Sequence, residues 1–463
     1  MKALSIFGTS SDAGKSTLTF VIGRILQDAG LTVAPFKAQN VSNNSRVAED
    51  GSEIAIAQYF QAEVLGVPTS RHLNPVLLKS GRENSATLIV KGKVVMDKEV
   101  REYYRDLDQL KPVVDECFGY LSQRYDCIVC EGAGSPVELN LMDKDLSNIY
   151  VAEKYGTKII LVADIEKGGV FASVWGVYNL LPEALRANVI GVIVNKFRGD
   201  LSLFDEGVRI IEERFGIPVL GVLPYMALNV GFEDSASLMN YTQPPGEPGI
   251  SVGVIAYPTM SNYNDIEPLI ADEEVAVEFI RSDMNLEAFD LILLPGSKQT
   301  VEDLRWLKRT GLFTRLRERA KPVYGICGGY QMMFTRIDDP DAVECPVPTC
   351  EEALGWIDDE IVFTPDKILA RGNYDLFGIN VQGFEIRHGI SRQNRLWSED
   401  GNVRGSFVHG VFENDAFRTR LFRTLNPLYV GYDFKRYRHG VISRFIDECK
   451  KRLDCERIVK NVV

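Results

Sequence analysis

Residues 8–17 read GTSSDAGKST. Before them runs KALSIFG (2–8), short and apolar, and after them KSTLTFVIGRILQDAG (15–30) carries apolar residues at helical spacing and closes on a Gly suited to a C-cap. Strand, glycine-bounded loop and helix make the frame of a phosphate-binding loop. Backbone N–H groups and the positive end of the helix aim at one anion there, and Lys15 adds a point charge. Five residues separate Gly8 from Gly14, one more than in the usual loop. The intact Gly14-Lys15-Ser16-Thr17 still assigns nucleotide binding to Gly8, Thr9, Asp12, Gly14, Lys15, Ser16 and Thr17, with the Ser16 or Thr17 hydroxyl on Mg²⁺.

A metal beside that loop needs a carboxylate. Glu131 stands where the apolar run DCIVCEG (126–132) breaks into flexible sequence, and the C-terminal end of such a strand faces the site crevice of an open α/β sheet. The expected metal set is Ser16, Glu131 and Asp12, with Asp164 a weaker candidate. Asn195, closing ANVIGVIVNKF (187–197), is placed to read the nucleotide base or to form a turn. The C-x-x-C pair Cys127 and Cys130 lies inside the apolar run, so it reads as buried strand rather than zinc or redox site.

At 463 residues the chain calls for about two or three domains. Hydrophobic residues at 45% and charged residues at 25% fit a globular protein. A net charge of −12 argues against a general nucleic-acid or anionic-membrane footprint, so acidic ligands need local cations, for which Lys15, Lys37, Lys79, Lys196 and Arg198 are candidates. No apolar run is long enough to span a bilayer and no signal segment opens the chain, so the cytoplasm is the expected location. Eight scattered cysteines do not make a disulfide framework.

Further β-branched runs, LTVAPFK (31–37), TKIILVADI (157–165) and IPVLGVLPY (217–225), are spaced for crossovers in a mostly parallel sheet. Pro and Gly then crowd NYTQPPGEPGI (240–250), and a second α/β series follows. The expected organisation is α/β throughout: a P-loop parallel-sheet domain over 1–240, a linker over 241–250, a second α/β domain over 251–445 and a C-terminal tail over 446–463.

In YGICGGYQ (324–331), Cys327 sits between strand and helix with glycines on both sides, a thiol counterpart of a nucleophile elbow. Of four histidines, His409 ends an apolar strand at a His-Gly turn in GSFVHGVF (405–412) and is the expected proton partner. The spacing from Cys327 through Gly329 to Gln331 resembles the class I glutamine amidotransferases. That resemblance implies that Cys327 attacks the glutamine side-chain amide and that His409 shuttles protons. Gly328 and the LPGSK turn, at Gly296 or Ser297, then form the oxyanion hole, and Gln331 belongs to the same site. The usual third member, a Glu two residues after the His, is replaced by Val411. Glu413 lies further on, and the choice between a Cys-His dyad and a borrowed carboxylate stays open.

The long P-loop and EGAG (131–134) resemble the dethiobiotin synthetase-like P-loop branch, which implies ATP-driven activation of a carboxylate. Together with FKAQNVSNNS (36–45), AQYFQAEVLGVP (57–68), NPVLLKSG (74–81), EGAGSPVELNL (131–141), DIEKGGVFAS (164–173), NKFRGD (195–200) and LPGSKQTVEDLRWL (294–307), the chain resembles the cobyric acid synthase family of the cobyrinate amidase group from end to end. The resemblance implies a corrinoid small-molecule substrate. It also implies ATP- and glutamine-dependent amidation of the b, d, e and g carboxylates of adenosylcobyrinic acid a,c-diamide. Lys37, Gln39, Asn40, Asn43, Asn44 and Lys79 are the expected substrate contacts, since amides and cations suit acids that become amides. Two departures are Glu166-Lys167 for the usual Asp-Arg and Arg387 for a usual His. The alternatives are the related a,c-diamide synthase, a cell-wall precursor amidoligase, or a partitioning-type ATPase with an inactive amidotransferase domain.

Overall fold

The computed structural model describes residues 2–80, 85–99, 107–226, 228, 230–231 and 249–463. The chain forms two compact units, one of residues 1–42, 48–228 and 439–463, the other of residues 43–47 and 229–438.

In the first unit, six parallel strands lie in the order Val219–Pro224, Val189–Phe197, Lys158–Asp164, Lys2–Gly8, Cys127–Glu131, Val33–Phe36. Val, Ile and Leu fill their central positions because both sheet faces are covered, and Leu161, Val192 and Val194 are fully buried in the packed layer. Cys127 and Cys130 belong to that buried strand, as expected, and burial pushes the Cys127 thiol up to about 12. The register sets Gly8 beside Val162, Ile6 beside Glu131, and Asp164 beside Asn195. The carboxyl ends of the central strands therefore share one edge of the sheet, where ligands of open α/β sheets bind.

In the second unit, the sheet order is Val275–Ile280, Ile250–Ile255, Leu291–Leu294, Val323–Ile326, Val403–Ser406, Trp397–Asp400, parallel except for its last pair. Its own core runs from Ile250 to Tyr429. A long antiparallel ribbon, Ile357–Leu376 with Ile379–Ser391, and the short pair Met260–Ser261 with Gly296–Ser297 flank the end of strand Val323–Ile326.

The C-terminal stretch departs from the expected tail. Residues 241–248 of the expected linker lie outside the described residues. The stretch 446–463 is not a loose tail: helix Cys455–Val462 buries Ile458 and Val462, and Asp454 N–H donates to Leu220 O at 2.8 Å, which ties it to the first unit. No helix among the described residues is long and apolar enough to cross a membrane.

Candidate active sites

In the first unit the loop closes tightly on itself. Gly14 caps helix Lys15–Asp28 at φ 103°, and a Cβ there would fall 2.3 Å from the Asn195 amide nitrogen. Conformation and space both demand glycine. Asn195 donates from that nitrogen to Ala13 O at 2.9 Å, so it braces the loop. Lys15 is buried and donates to Ser10 O at 3.0 Å. Thr17 lies half-buried in the first turn of the helix. Thr9 departs from the expected cradle, because its N–H donates to Val162 O at 2.8 Å and continues the sheet.

Glu131 is the hub. Its Oε1 accepts from Ser16 Oγ and from Lys37 Nζ, each at 2.7 Å, and its Oε2 accepts from Gln58 at 3.1 Å and Gln61 at 2.6 Å. Burial alone would raise its pKa; the Lys37 ammonium and the Ser16 and Gln61 hydrogen bonds outweigh burial and hold the carboxyl below its usual range. Ser16 Oγ and Glu131 Oε1 are hard oxygens within contact of each other, the donor type a Mg²⁺ bridging phosphates takes, with Lys37 supplying positive charge at the same oxygen. They fit a cation completed by phosphate and water. Among the described residues, no cluster of three or more His, Cys, Asp or Glu forms a self-contained metal cage. Asp12 is mostly exposed at φ 58° and pairs with Lys167 at 3.7 Å instead.

The expected substrate contacts divide. Lys37 and Lys79 are both spent on buried ion pairs, Lys79 with Glu53 at 2.6 Å. Asn40 donates to Gln58 at 3.0 Å, while the Gln39 backbone exchanges hydrogen bonds with Ser147. Asn43 and Asn44 belong to the second unit, where Asn44 Oδ1 accepts from Asn262 N–H at 2.7 Å. The other cations are paired as well, Lys196 with Asp164 at 3.1 Å and Arg198 with Glu166 at 2.6 Å.

Removing Lys37 strands a buried carboxylate. Lys37→Met is expected to cost about 3–5 kcal/mol of stability, and Lys37→Met/Glu131→Gln to recover most of it. Urea unfolding at neutral pH measures both. A single variant as stable as wild type would remove the pair from the structural account.

In the second unit Cys327 stands at φ 47°, ψ −104°, between strand Val323–Ile326 and helix Gly328–Gln331, and its N–H donates to Ser406 O at 2.9 Å. This is a strained turn, of the kind that holds nucleophiles. A Cβ on Gly328 would meet Ser297 N at 2.7 Å, so the expected oxyanion donors lie together beside the thiol. Gly296 lies against the His409 ring, where a Cβ would come within 3.0 Å of Cε1. Gln331 is buried; its N–H closes the turn on Cys327 O at 2.9 Å and its side-chain Oε1 has no hydrogen bond.

The carboxylate beside His409 is Asp265. Its Oδ2 lies 2.6 Å from His409 Nδ1, and its Oδ1 accepts from Gly410 N–H at 2.6 Å. Glu413 instead takes Arg46 at 2.8 Å. Burial alone would lower the His409 pKa; the Asp265 carboxylate and Cys327 outweigh it and raise it to about 10. Asp265 thus orients the His409 imidazole, and the Cys327 Sγ lies 3.6 Å from Ile386 O.

Comparison with known proteins follows the same division. Residues 4–230 match the CobQ/CobB/MinD/ParA nucleotide binding domain, and residues 251–417 match the CobB/CobQ-like glutamine amidotransferase domain. The chain is 62% identical to a cobyric acid synthase of Acinetobacter baylyi, covering 100% of this chain and 99% of that one. It is 39% identical to a cobyric acid synthase of Anoxybacillus flavithermus over 98% of this chain and 96% of the relative. A probable cobyric acid synthase of Methanothermobacter thermautotrophicus is 38% identical over 98% and 97%. With both halves matched in order and the similarity running the whole length, the chain belongs to the cobyric acid synthase family of glutamine-dependent amidating ligases.

Proposed function

We infer that this protein amidates the b, d, e and g side-chain carboxylates of adenosylcobyrinic acid a,c-diamide in the cytoplasm, using ATP and glutamine. The observation that carries the reading is the pairing, in one chain of this family, of a P-loop whose Ser16 touches Glu131 with a Cys327 elbow served by His409 and Asp265. A nucleotide domain joined to an ammonia source suits acid activation followed by amide formation.

In the first unit, the substrate carboxylate oxygen attacks the γ-phosphorus of ATP, ADP departs, and an acyl phosphate forms. Lys15 and the N–H groups after Gly14 take the transferring phosphoryl charge, which is where catalysis of such a step resides. Ser16 and Glu131 are the residues that would hold Mg²⁺, which supplies charge neutralisation between phosphates when bound. In the second unit, Cys327 Sγ bonds to the glutamine amide carbon and its proton passes to His409. The C–N bond breaks, ammonia leaves with that proton, and water hydrolyses the thioester to glutamate. Ammonia then displaces phosphate from the acyl carbon.

Mass spectrometry of the a,c-diamide incubated with protein, Mg-ATP and glutamine tests the reading. A ladder of products, each differing by the exchange of one OH for NH₂, is the expected result. An unchanged corrinoid beside active glutamine hydrolysis would turn the reading toward the acid precursor of the a,c-diamide or a cell-wall acid. Lys15→Ala is expected to lower amidation by about 10²-fold or more with glutamine or ammonia alike, since a preorganised cation is lost from the transferring phosphoryl group. Undiminished product formation would remove Lys15 from the phosphate site.

A further inference from the structure

Gly296 and Ser297 are alike in sequence as oxyanion donors, and the short ladder they form separates them. Met260 pairs with Ser297 and Ser261 with Gly296, while Lys298 N–H donates to Thr259 O at 2.9 Å. Bonded and non-bonded pairs alternate along an antiparallel ladder, so Thr259 with Lys298 and Ser261 with Gly296 are the bonded pairs, and Met260 with Ser297 is not. The Gly296 N–H is therefore committed to the ladder, whereas the Ser297 N–H points out of it. The Ser297 nitrogen is also the atom that a Cβ on Gly328, the residue after Cys327, would meet at 2.7 Å.

What holds that turn is a buried carboxylate. Asp303 is 1% exposed and rides on helix Thr300–Arg309, whose Val301, Leu304 and Leu307 are fully buried in the core. Its Oδ2 accepts from Ser297 Oγ at 2.6 Å and from Thr259 Oγ1 at 2.7 Å, and its Oδ1 accepts from Thr259 N–H at 3.2 Å. Both hydroxyls accept in turn from Gln299 N–H, that of Thr259 at 3.0 Å and that of Ser297 at 3.2 Å. Burial lifts the Asp303 carboxyl, against these hydrogen bonds, to about 6, which leaves it ionised at neutral pH. Directions are then forced: the carboxylate only accepts and the Gln299 N–H only donates, so each hydroxyl spends its single hydrogen on Asp303. An aspartate that merely capped its helix would bond the N–H groups of that helix. Asp303 spends both oxygens on the two strands of the ladder.

We propose that Asp303 is a positioning residue for glutamine hydrolysis: through the Ser297 and Thr259 hydroxyls it fixes the Ser297 N–H as the second oxyanion donor beside Cys327. Such a donor acts by standing ready where the negative oxygen forms, so its worth depends on what holds it still. A carboxylate on a packed helix, bonded to both strands of a ladder only two pairs long, supplies that rigidity. The proposal rests on the opening of glutamine by Cys327 given above.

The test is steady-state glutamate release from glutamine by the full chain with Mg-ATP present. Asp303→Asn keeps the shape and removes the charge that orients both hydroxyls. It is expected to lower kcat about 10- to 100-fold, short of the about 10²- to 10³-fold that deletion of an oxyanion donor costs, with KM for glutamine within about twofold of wild type. The oxygen carries its charge only in the transition state, so the loss belongs in kcat. Alkylation of Cys327 by iodoacetamide, followed by peptide mass spectrometry, forms no oxyanion and is expected to keep its wild-type rate. A carboxylate that merely supported the elbow would slow alkylation together with kcat. That joint loss overturns the proposal, as does an unchanged kcat or a rise in KM alone. If Asp303→Asn does not fold by circular dichroism, Ser297→Ala, which removes one hydroxyl and keeps the N–H, replaces it with the same split expected and the same outcomes against. Cys327→Ala is the control. Glutamate release that persists there at the wild-type rate defeats the Cys327 reading itself, whereas Cys327-dependent release with wild-type kcat in Asp303→Asn defeats only the positioning role.

Discussion

Cys327→Ala is expected to abolish glutamine-supported amidation, by more than about three orders of magnitude as for loss of other covalent nucleophiles, while leaving ammonia-supported amidation near wild type. In the proposed mechanism the thiol is the atom that bonds to the glutamine carbon. Cys117, Cys127, Cys130 and Cys449 are buried with thiols pushed up by that burial, and none of them is joined to a histidine as Cys327 is. Lys15, Ser16 and Glu131, the residues proposed for acid activation, all lie in the first unit, which the substitution does not touch. Parallel assays with glutamine and with ammonium at high pH, each counting glutamate and corrinoid amide, make the check. Loss of both activities in a variant with wild-type circular dichroism would overturn the division of labour between the units. Retention of both would mean that another group opens glutamine.

The parts of these sites that the sequence discloses are those built by neighbours in the chain. Gly14-Lys15-Ser16 and the Cys327 elbow are each a strand, a turn and a helix within a dozen residues, so spacing and glycine placement carry the information. The strand ends that place Glu131 and Asn195 follow from apolar runs in a parallel sheet. What spacing cannot carry is pairing across the fold. Lys37 and Lys79 read as open cations because their partners, Glu131 and Glu53, are chosen only when the strands assemble. Thr9 reads as part of the cradle because its bond to Val162 belongs to a strand about 150 residues later. Gln58 and Gln61 left a fainter trace: two amides three apart on a largely apolar helix, Ile56–Leu65, share one face and meet one carboxylate. Asp265 had no local trace, since 144 residues separate it from His409, and an acid in SNYNDIEP looks like a turn residue until the fold brings it to the ring. The same holds for 43–47, whose polar residues suit a ligand loop and turn out to be bonded within the second unit.

Asp265→Asn is expected to lower glutamine hydrolysis by about 10²- to 10⁴-fold, the upper figure being the loss known for the equivalent change in a serine-protease triad. The amide is isosteric, so packing around His409 and the bond from Gly410 N–H survive. What changes is the charge and the direction of the hydrogen bond at Nδ1. A carboxylate compels Nδ1–H and leaves Nε2 for the thiol, whereas an Asn can turn its NH₂ to Nδ1 and stabilise the opposite tautomer. The imidazolium also loses its counter-charge, so thiol deprotonation becomes costly. Stability reports the same loss by a second route. With His409 held at about 10 in the fold against an ordinary value near 6.5, the folded chain keeps a proton that the unfolded chain releases. The stabilisation is complete below about 6.5 and disappears as pH rises through about 10, so stability falls across that window. Asp265→Asn removes the leading force that raises the value, and the fall across the same window is expected to flatten. Urea midpoints from pH 6 to pH 10, with glutamate release at neutral pH, measure both consequences. A variant that keeps wild-type hydrolysis and the wild-type pH slope would show that the short Asp265–His409 contact neither orients nor charges the base, and would leave Cys327 and His409 to act as a dyad. Loss of hydrolysis with an unchanged slope would confine Asp265 to holding the tautomer. The joint loss of rate and slope is what a charged partner at Nδ1 requires, because one carboxylate fixes where the proton sits and how tightly it is held.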